Sequence, residues 1–158
     1  MPVSHKSKTG ILVVAENRQA RHNFSILEIF EAGVELKGSE VKSIRKGNVQ
    51  LKEGYAHVRN GELYLEGVHV NPYKFSSHSG LEAVRKRKLL MHKREIVRIH
   101  AELSQNRYTL VPLRVYFKDG RAKVELGLAK GKKLYDKRAA LKKRETERLV
   151  ARAQRKFR

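Results

Sequence analysis

The chain has 158 residues, with 36 lysines and arginines against 16 aspartates and glutamates, seven histidines and no cysteine. This length fits one domain with a real core, and the absence of cysteine excludes disulfides and cysteine-based zinc sites. The formal net charge of +20 indicates a polyanionic partner, with nucleic acid the first candidate and an anionic membrane surface the second. No apolar run approaches the roughly 18 residues of a membrane-spanning helix. The five-residue run ILVVA is too short for the apolar region of a signal peptide. The absence of cysteine fits a cytoplasmic location.

Short strands are predicted first along the chain. ILVVA predicts a brief strand, and residues 23–36 predict a longer one whose alternation changes phase at Leu27, which suggests a bulge. Asn60-Gly61 predicts a two-residue hairpin that pairs Arg59 with Glu62. The further pairs expected there are Val58 with Leu63 and Ala56 with Leu65.

A second hairpin is predicted at Asp119-Gly120. It pairs Phe117 with Ala122 and Val115 with Val124. Because Pro112 lacks an N–H, its strand is expected to be an edge or to be bulged at that point.

Two helices are predicted. Ser39 can cap a short helix through VKSIRK, with Gly47 just past its end. Residues 89–103 show helical spacing of apolar residues, and the segment 71–88 before them, rich in serine, glycine and basic residues, has the composition of a loop. The order of elements favours a mainly β fold, a small antiparallel barrel with flanking helices.

The strand pattern of KVELGLA ends at Ala129, and lysines follow. From Ala129 to Arg158 there are 13 basic and three acidic residues, a net charge of +10 in 30 residues. The sequence therefore predicts a barrel domain over 1–129 and a basic tail over 130–158. The tail has a thin apolar stripe, so its helix should be marginal in water and should form against an anionic surface.

The sequence gives no positive sign of catalysis or of a cofactor. GLAKGKK resembles a phosphate-binding loop, but its spacing is one residue short and Lys133 replaces the hydroxyl residue that would hold magnesium. The histidines form no metal-ligand pair. No nucleophile stands beside a base, and we expect neither enzyme activity nor a metal site.

Basic clusters are numerous instead. They occupy 17–22, 41–48 and 85–88, and four aromatic side chains could stack on bases: Tyr73, Phe75, Tyr116 and Tyr135. Together they favour RNA or DNA binding over a merely solvated surface. From this chemistry alone, a structural ribosomal protein with a barrel body and a basic extension remains open.

Several stretches resemble the SmpB (SsrA-binding protein) family. They are ENRQARHNFSILEIFEAGVELKGSEVKSIRKG, RKRKLLMHKREI, TLVPLRVYFKDGRAKVELGLAKGKK and DKR, which together run from about Glu16 to Arg138. The segment 78–84 departs from the family by lacking a proline before the basic run, and the tail beyond Arg138 matches only in basic character.

The resemblance implies an oligonucleotide-binding-type barrel that is not an enzyme. It implies binding to the tRNA-like domain of transfer-messenger RNA and delivery of that RNA to stalled bacterial ribosomes. Elongation factor Tu, reached through the RNA, and the ribosome would supply the chemistry. The tail is expected to be disordered when free and helical in the empty messenger channel, beside small-subunit rRNA.

Carried onto this sequence, the resemblance assigns RNA contacts to Asn17, Arg21, His22, Glu31 and Leu90, to which chemistry adds Lys42 and Arg45. The segment expected near the decoding centre comprises Gly131, Lys132, Lys133, Tyr135, Asp136, Lys137 and Arg138. Glu31 is plausible in an RNA site because carboxylates accept hydrogen bonds from base amino groups.

Overall fold

The computed structural model describes residues 10–73 and 82–156, apart from the side chains of Leu134 and Tyr135. Its elements in chain order are β1 Ile11–Glu16, α1 Arg18–Asn23, β2 Phe24–Val34, α2 Gly38–Arg45, β3 Val49–Gln50, β4 Tyr55–Arg59, β5 Glu62–Glu66, β6 His69–Val70, β7 Arg87–Leu90, α3 Lys93–Asn106, β8 Thr109–Lys118, β9 Arg121–Gly131 and α4 Leu134–Lys156. The prediction of a mainly β fold with flanking helices is confirmed.

The strands close into an antiparallel barrel. The order β8-β4-β5-β7-β2-β9 returns to its start because β9 also pairs with β8. β1 extends the sheet by pairing with β8 between Arg114 and Lys118, beyond the point where Ala56 of β4 meets Leu110. Closure leaves few open strand edges, which is how small β proteins limit edge-to-edge association.

Both predicted hairpins are present in the predicted register. Arg59 pairs with Glu62 across the first turn, and Phe117 pairs with Ala122 across the second. Asn60 and Gly61 have φ of 52° and 75°, and the corresponding values are 51° at Asp119 and 76° at Gly120. Positive φ at both central positions is the requirement of a type I′ turn, which Asn-Gly and Asp-Gly meet at low cost.

Two expected irregularities are also confirmed. The pairing of β2 with β9 shifts register between Ile26 and Glu28, where the alternation changes phase. The pairing of β8 with β9 shifts between Pro112 and Arg114. At the second bulge, Leu113 of β8 has no partner residue on β9. Its carbonyl is therefore available to another segment of the chain.

One main core fills the barrel. Fully buried side chains from its strands include Leu63, Leu65, Leu89, Leu110, Val124 and Leu126. Ile44 of α2 and Ile96 and Ile99 of α3 enter the same core, so both helices cover the barrel with apolar side chains. Each buried aliphatic residue stabilises the fold by about 1.5–3 kcal/mol.

A second, smaller core lies on the outer side of the barrel beneath α1. It is formed by Ala20, Val111, Leu113 and Ala129, with Phe24 and Ile26 packed against it. A Cβ added at Gly127 would lie 3.1 Å from Leu113 Cδ1 and 3.2 Å from Ile26, so this side is closely packed. Burial of Ala20 fixes which face of α1 meets the sheet.

Two helix predictions need correction at their starts. The predicted helix 89–103 begins only at Lys93, because residues 87–90 form β7 between β5 and β2 and place Leu89 in the core. The other helix begins at Gly38 rather than after Ser39, because the Glu40 carboxylate accepts the N–H of Lys37 at 3.0 Å. The predicted loop 71–88 thus ends in a strand, and residues 74–81 with Phe75 lie outside the described residues.

Other elements were not expected from the sequence. The sequence pattern predicts only a basic cluster where α1 lies, and it does not predict the short β3–β6 ribbon. β9 continues to Gly131, which pairs with Phe24, so the sheet ends two residues beyond Ala129.

α4 follows the sheet after a short connection. Its 23 residues span about 35 Å at 1.5 Å each, and its side chains from Leu141 to Lys156 are exposed. No helix within 10–73 or 82–156 combines the length and apolarity that crossing a bilayer requires. The same residues contain no group of three histidine or acidic side chains placed to hold a metal ion.

Candidate RNA-binding surface

Asn17 fixes α1 to the barrel. Its N–H donates to Leu113 O at 2.7 Å, and its Nδ2 donates to Pro112 O at 3.0 Å and to Leu51 O at 3.3 Å. Its Oδ1 accepts the N–H of Ala20 at 3.2 Å and so caps the helix. Asn17 is only 7% exposed, and its side chain is fully used within the protein. It therefore positions α1, and its contact with RNA stays a prediction.

α1 presents its basic side chains outward because Ala20 faces the barrel. Arg18 and Arg21 are exposed, and His22 is half-buried. Within the described residues, no hydrogen bond or ion pair uses the Arg21 guanidinium. Two basic groups near the end of a short helix are thus available to an anionic ligand.

A chain of polar contacts continues from α1 across the outer side of the barrel. Arg114 Nε donates to Glu125, and the Arg114 guanidinium lies 5.4 Å from the Tyr116 ring centroid. The Tyr116 hydroxyl donates to Glu31, whose carboxylate also lies 3.7 Å from Lys118 Nζ. These contacts hold Glu31 in place at the surface.

The electrostatics of this chain keep Glu31 ionised. The hydrogen bond from Tyr116 is the largest influence on the pKa of Glu31 and lowers it. Burial opposes this effect, but Lys118 and Lys123 lower the pKa further, and the net shift is downward. Burial and the Glu31 carboxylate together raise the pKa of Tyr116. The tyrosine therefore remains a hydrogen-bond donor and Glu31 an acceptor at neutral pH.

Leu90 lies on the same outer surface. It pairs with Gly33 of β2, two residues along from Glu31, and it is 53% exposed. Because side chains two residues apart share a face of a strand, Leu90 and Glu31 project on the same side. We call this surface the α1 face; it comprises the exposed residues of α1 together with Glu31, Leu90, Arg114, Lys118 and Glu125.

Lys42 and Arg45 lie elsewhere, on α2. Lys42 Nζ is 5.5 Å from the Tyr73 ring centroid, and the Arg45 guanidinium is 5.3 Å from that of Phe117. No hydrogen bond, ion pair or cation–π contact among the described residues joins this pair to the α1 face. The sequence-predicted RNA residues therefore form one group around α1 and β2 and a second group on α2.

The predicted decoding-centre segment leads directly away from α1. Gly131 ends β9, the N–H of Lys132 donates to Asn23 O at 3.0 Å, and Lys132 Nζ donates to Arg21 O at 3.2 Å. Lys133 and Arg138 are exposed, whereas Asp136 and Lys137 are half-buried. The side chain of Tyr135 lies outside the described atoms.

Two groups expected at the RNA surface are occupied within the fold. Tyr116 is 3% exposed, so its ring is not open for base stacking. In the basic run 85–88, Arg87 is 1% exposed; it donates to Glu40 and to Val68 O at 2.9 Å. Arg85 also binds Glu40, which leaves that run with less free positive charge than the sequence suggested.

The pair Arg114 and Glu125 was missed, although the sequence contained its signal. When the register of the Asp119-Gly120 hairpin is continued along the strands away from the turn, it pairs Arg114 with Glu125. Its position beneath α1 depends on Asn17, for which the sequence offered no comparable signal.

A small antiparallel barrel with a basic outer face and a long basic helix has the architecture of a nucleic-acid-binding protein. The family model described as SmpB protein matches residues 14–156. The SsrA-binding protein of Desulforudis audaxviator (strain MP104C) is 58% identical over 142 residues, which are 90% of this chain and 93% of that protein. That of Latilactobacillus sakei subsp. sakei (strain 23K) is 49% identical over 156 residues, 99% of each chain.

A solved structure is similar as well. A chain of the structure described as "tmRNA-SmpB: a journey to the center of the bacterial ribosome" matches with a TM-score of 0.65 and 50% sequence identity, over 77% of this chain and 85% of that chain. The chain described here belongs to the SmpB family.

Proposed function

We propose that this protein is a cytoplasmic, non-enzymatic RNA-binding protein that binds the tRNA-like domain of transfer-messenger RNA and delivers it to stalled ribosomes. Relatives that align with nearly the whole chain are named SsrA-binding proteins. The similar solved structure concerns tmRNA with SmpB and the bacterial ribosome. Elongation factor Tu and the ribosome supply the chemistry, and this chain supplies the contacts.

The observation that carries the RNA-binding proposal is the α1 face. Arg21 offers an unengaged guanidinium, Glu31 an ionised carboxylate held by Tyr116, and Leu90 an exposed apolar side chain. This combination can meet phosphates, base amino groups and an unstacked base, which together define a folded RNA rather than a uniform duplex.

The tail is proposed to act on the ribosome. It is the basic segment 130–158, and its working part runs from Gly131 to Arg138. α4 exposes Leu141, Leu149 and Val150 among many basic side chains, so it lacks the wide apolar face of a helix that packs on its own protein. An RNA-lined channel would neutralise its charge and favour the helical form.

The RNA-binding test compares transfer-messenger RNA with a control RNA of equal length. The full chain should bind the former more tightly, and Arg21→Ala should weaken that binding by about tenfold, the loss of one charge-assisted contact. Arg59→Ala, an exposed arginine beside the Asn60-Gly61 turn and outside α1, is the matched control and should change the affinity less than twofold. Equal binding of both RNAs would contradict the proposal.

The ribosome test is co-purification from cells. Rescue predicts one abundant RNA of a few hundred nucleotides and substoichiometric association with ribosomes. A stoichiometric place in every subunit would instead identify a structural ribosomal protein.

A further inference from the structure

A cleft of about 300 Å³ opens between α1 and the outer surface of the barrel. It is lined by Glu16, Asn17, Arg18, Arg21, Leu113, Arg114 and Glu125. Asn17 and Leu113 form a rigid part of its wall because they are hydrogen-bonded to each other. The cleft is at the small end of ligand-pocket sizes, large enough for one base and too small for a helix.

The cleft contains acceptors and donors that the fold leaves unused. Glu125 is 8% exposed, and only its Oε2 accepts a hydrogen bond among the described residues, from Arg114 Nε. The terminal nitrogens of Arg114 and the guanidinium of Arg21 have no hydrogen-bond partner in the same part of the chain. The second oxygen of this largely buried side chain therefore lines the cleft beside two sets of N–H donors.

This mixture of charges selects the class of ligand. A free phosphate would be repelled by Glu125 and Glu16, and a metal cation would be repelled by the three arginines. A base edge that carries hydrogen-bond donors next to acceptors can bind the glutamates and the arginines at the same time. Guanine does so best, because its N1–H and 2-amino group are adjacent donors for one carboxylate, while its O6 and N7 are the acceptors that arginine recognises.

We propose that the cleft binds a single unpaired guanine of the RNA partner. Glu125 accepts hydrogen bonds from N1–H and the 2-amino group, and Arg21 and Arg114 donate to O6 and N7. This proposal deepens the proposed function and rests on it for the identity of the RNA. The contact chain Arg114–Tyr116–Glu31 links the cleft to the rest of the α1 face.

The test measures binding of the full chain to the pentamers UUGUU, UUAUU, UUCUU and UUIUU by fluorescence anisotropy at fixed low salt. Inosine (I) is guanosine without its 2-amino group, so it probes the carboxylate contact without altering the protein. UUGUU should bind about tenfold more tightly than UUAUU and UUCUU, near the lower range for one bidentate base contact. UUIUU should lose most of that advantage.

Glu125→Gln should remove the preference for guanine, whereas Glu62→Gln, on the β4–β5 hairpin, should retain it. If Glu125→Gln does not fold, the comparison of UUGUU with UUIUU decides by itself. Equal affinities for UUGUU and UUIUU, or tighter binding of UUCUU, would overturn the proposal. Transfer-messenger RNA binding without any guanine preference would refute the cleft alone; a guanine preference without transfer-messenger RNA binding would refute the proposed function alone.

Discussion

Buried polar side chains set the geometry of the α1 face. Asn17 makes four hydrogen bonds: it donates three to carbonyl oxygens of distant residues and accepts one from the N–H of Ala20. A buried polar group of this kind is more costly to lose than its net contribution to folding suggests, because its partners are left unsatisfied.

Asn17→Ala should lower the free energy of unfolding by about 2–3 kcal/mol, since it removes a helix cap and leaves the carbonyls of Leu51 and Pro112 without their donor. Urea denaturation measures this loss. Asn106→Ala is the matched control, because the Asn106 side chain bonds Glu102 at the surface; it should change stability by less than about 0.5 kcal/mol. Equal effects of the two variants would contradict the assigned role.

Glu40 is the second buried polar residue of consequence. Burial raises the pKa of Glu40, but hydrogen bonds from Arg85, the Lys37 N–H and Arg87 outweigh it, and the net effect is a lowered pKa. The folded carboxylate thus stays charged at a pH where the unfolded one is protonated. The ionised carboxylate stabilises the fold fully at a pH above 4.5, the pKa of the unfolded state. This stabilisation is lost as the pH falls through the lower pKa of the folded state.

Glu40→Gln should therefore destabilise the fold by about 3 kcal/mol at pH 7, because it leaves the buried Arg87 without its counter-charge. The difference in the free energy of unfolding between the native protein and the variant should become smaller as the pH is lowered below 4.5. Urea unfolding across this pH range measures the difference, with the exposed Glu145→Gln as control. A difference that does not change with pH would contradict a stabilising role of the ionised Glu40 carboxylate.

At the scale of elements, the junction between β9 and α4 determines where the chain can be divided. Lys130 and Gly131 still pair with Ser25 and Phe24, and Lys132 still bonds Asn23. The proposed division between body and tail therefore has to be tested slightly beyond Ala129.

A chain ending at Lys133 should unfold with nearly the free energy of the full protein, whereas one ending at Ala129 should lose about 1–3 kcal/mol from the missing backbone hydrogen bonds. Both should be compared by urea denaturation. The chain ending at Lys133 should also retain transfer-messenger RNA binding while losing the tagging of stalled chains. Loss of RNA binding in this variant would show that the body and the tail do not act separately.

At the scale of the whole molecule, the positive charge is concentrated in the tail. The residues after Lys133 include ten basic and three acidic residues, whereas the whole chain has a net charge of +20. The tail and the α1 face should therefore contribute to RNA affinity largely through counterion release.

RNA affinity should fall linearly with the logarithm of salt concentration, with a slope of about 0.7–0.9 per phosphate contacted. On ribosomes, the chain ending at Lys133 should show a shallower slope than the full chain, because fewer cations meet RNA phosphates. Filter binding over 50–200 mM salt, roughly the range in which such effects are large, measures both slopes. An unchanged affinity over this range would contradict an electrostatic mode of binding.

Much of the fold followed from local sequence. Asn60-Gly61 and Asp119-Gly120 fixed two hairpins and their registers, because positive φ at both turn positions leaves little choice of geometry. The phase change at Leu27 and the proline at 112 located two bulges. The sequence predicts a helix from residue 89, whereas residues 87–90 form β7. The prediction is wrong there because Leu89 fits both the helical spacing of the following segment and the alternation of a strand.

The candidate site was predictable only in part. Arg21, Glu31 and Leu90, identified by family resemblance, lie on one surface, whereas Lys42 and Arg45 do not join it. Their contacts with RNA stay a prediction.

By itself, the sequence determined the turns, the mainly β class, the charged tail and the family, since each depends on residues close together in the chain or on composition. Tertiary structure alone decided that Asn17 would bond Leu51 and Pro112, 34 and 95 residues away, and that Glu40 would bond Arg87, 47 residues away. Such contacts exist only when the barrel closes, because closure brings distant strands together and buries the polar groups that must then find partners. The cleft beneath α1 arises from the same closure.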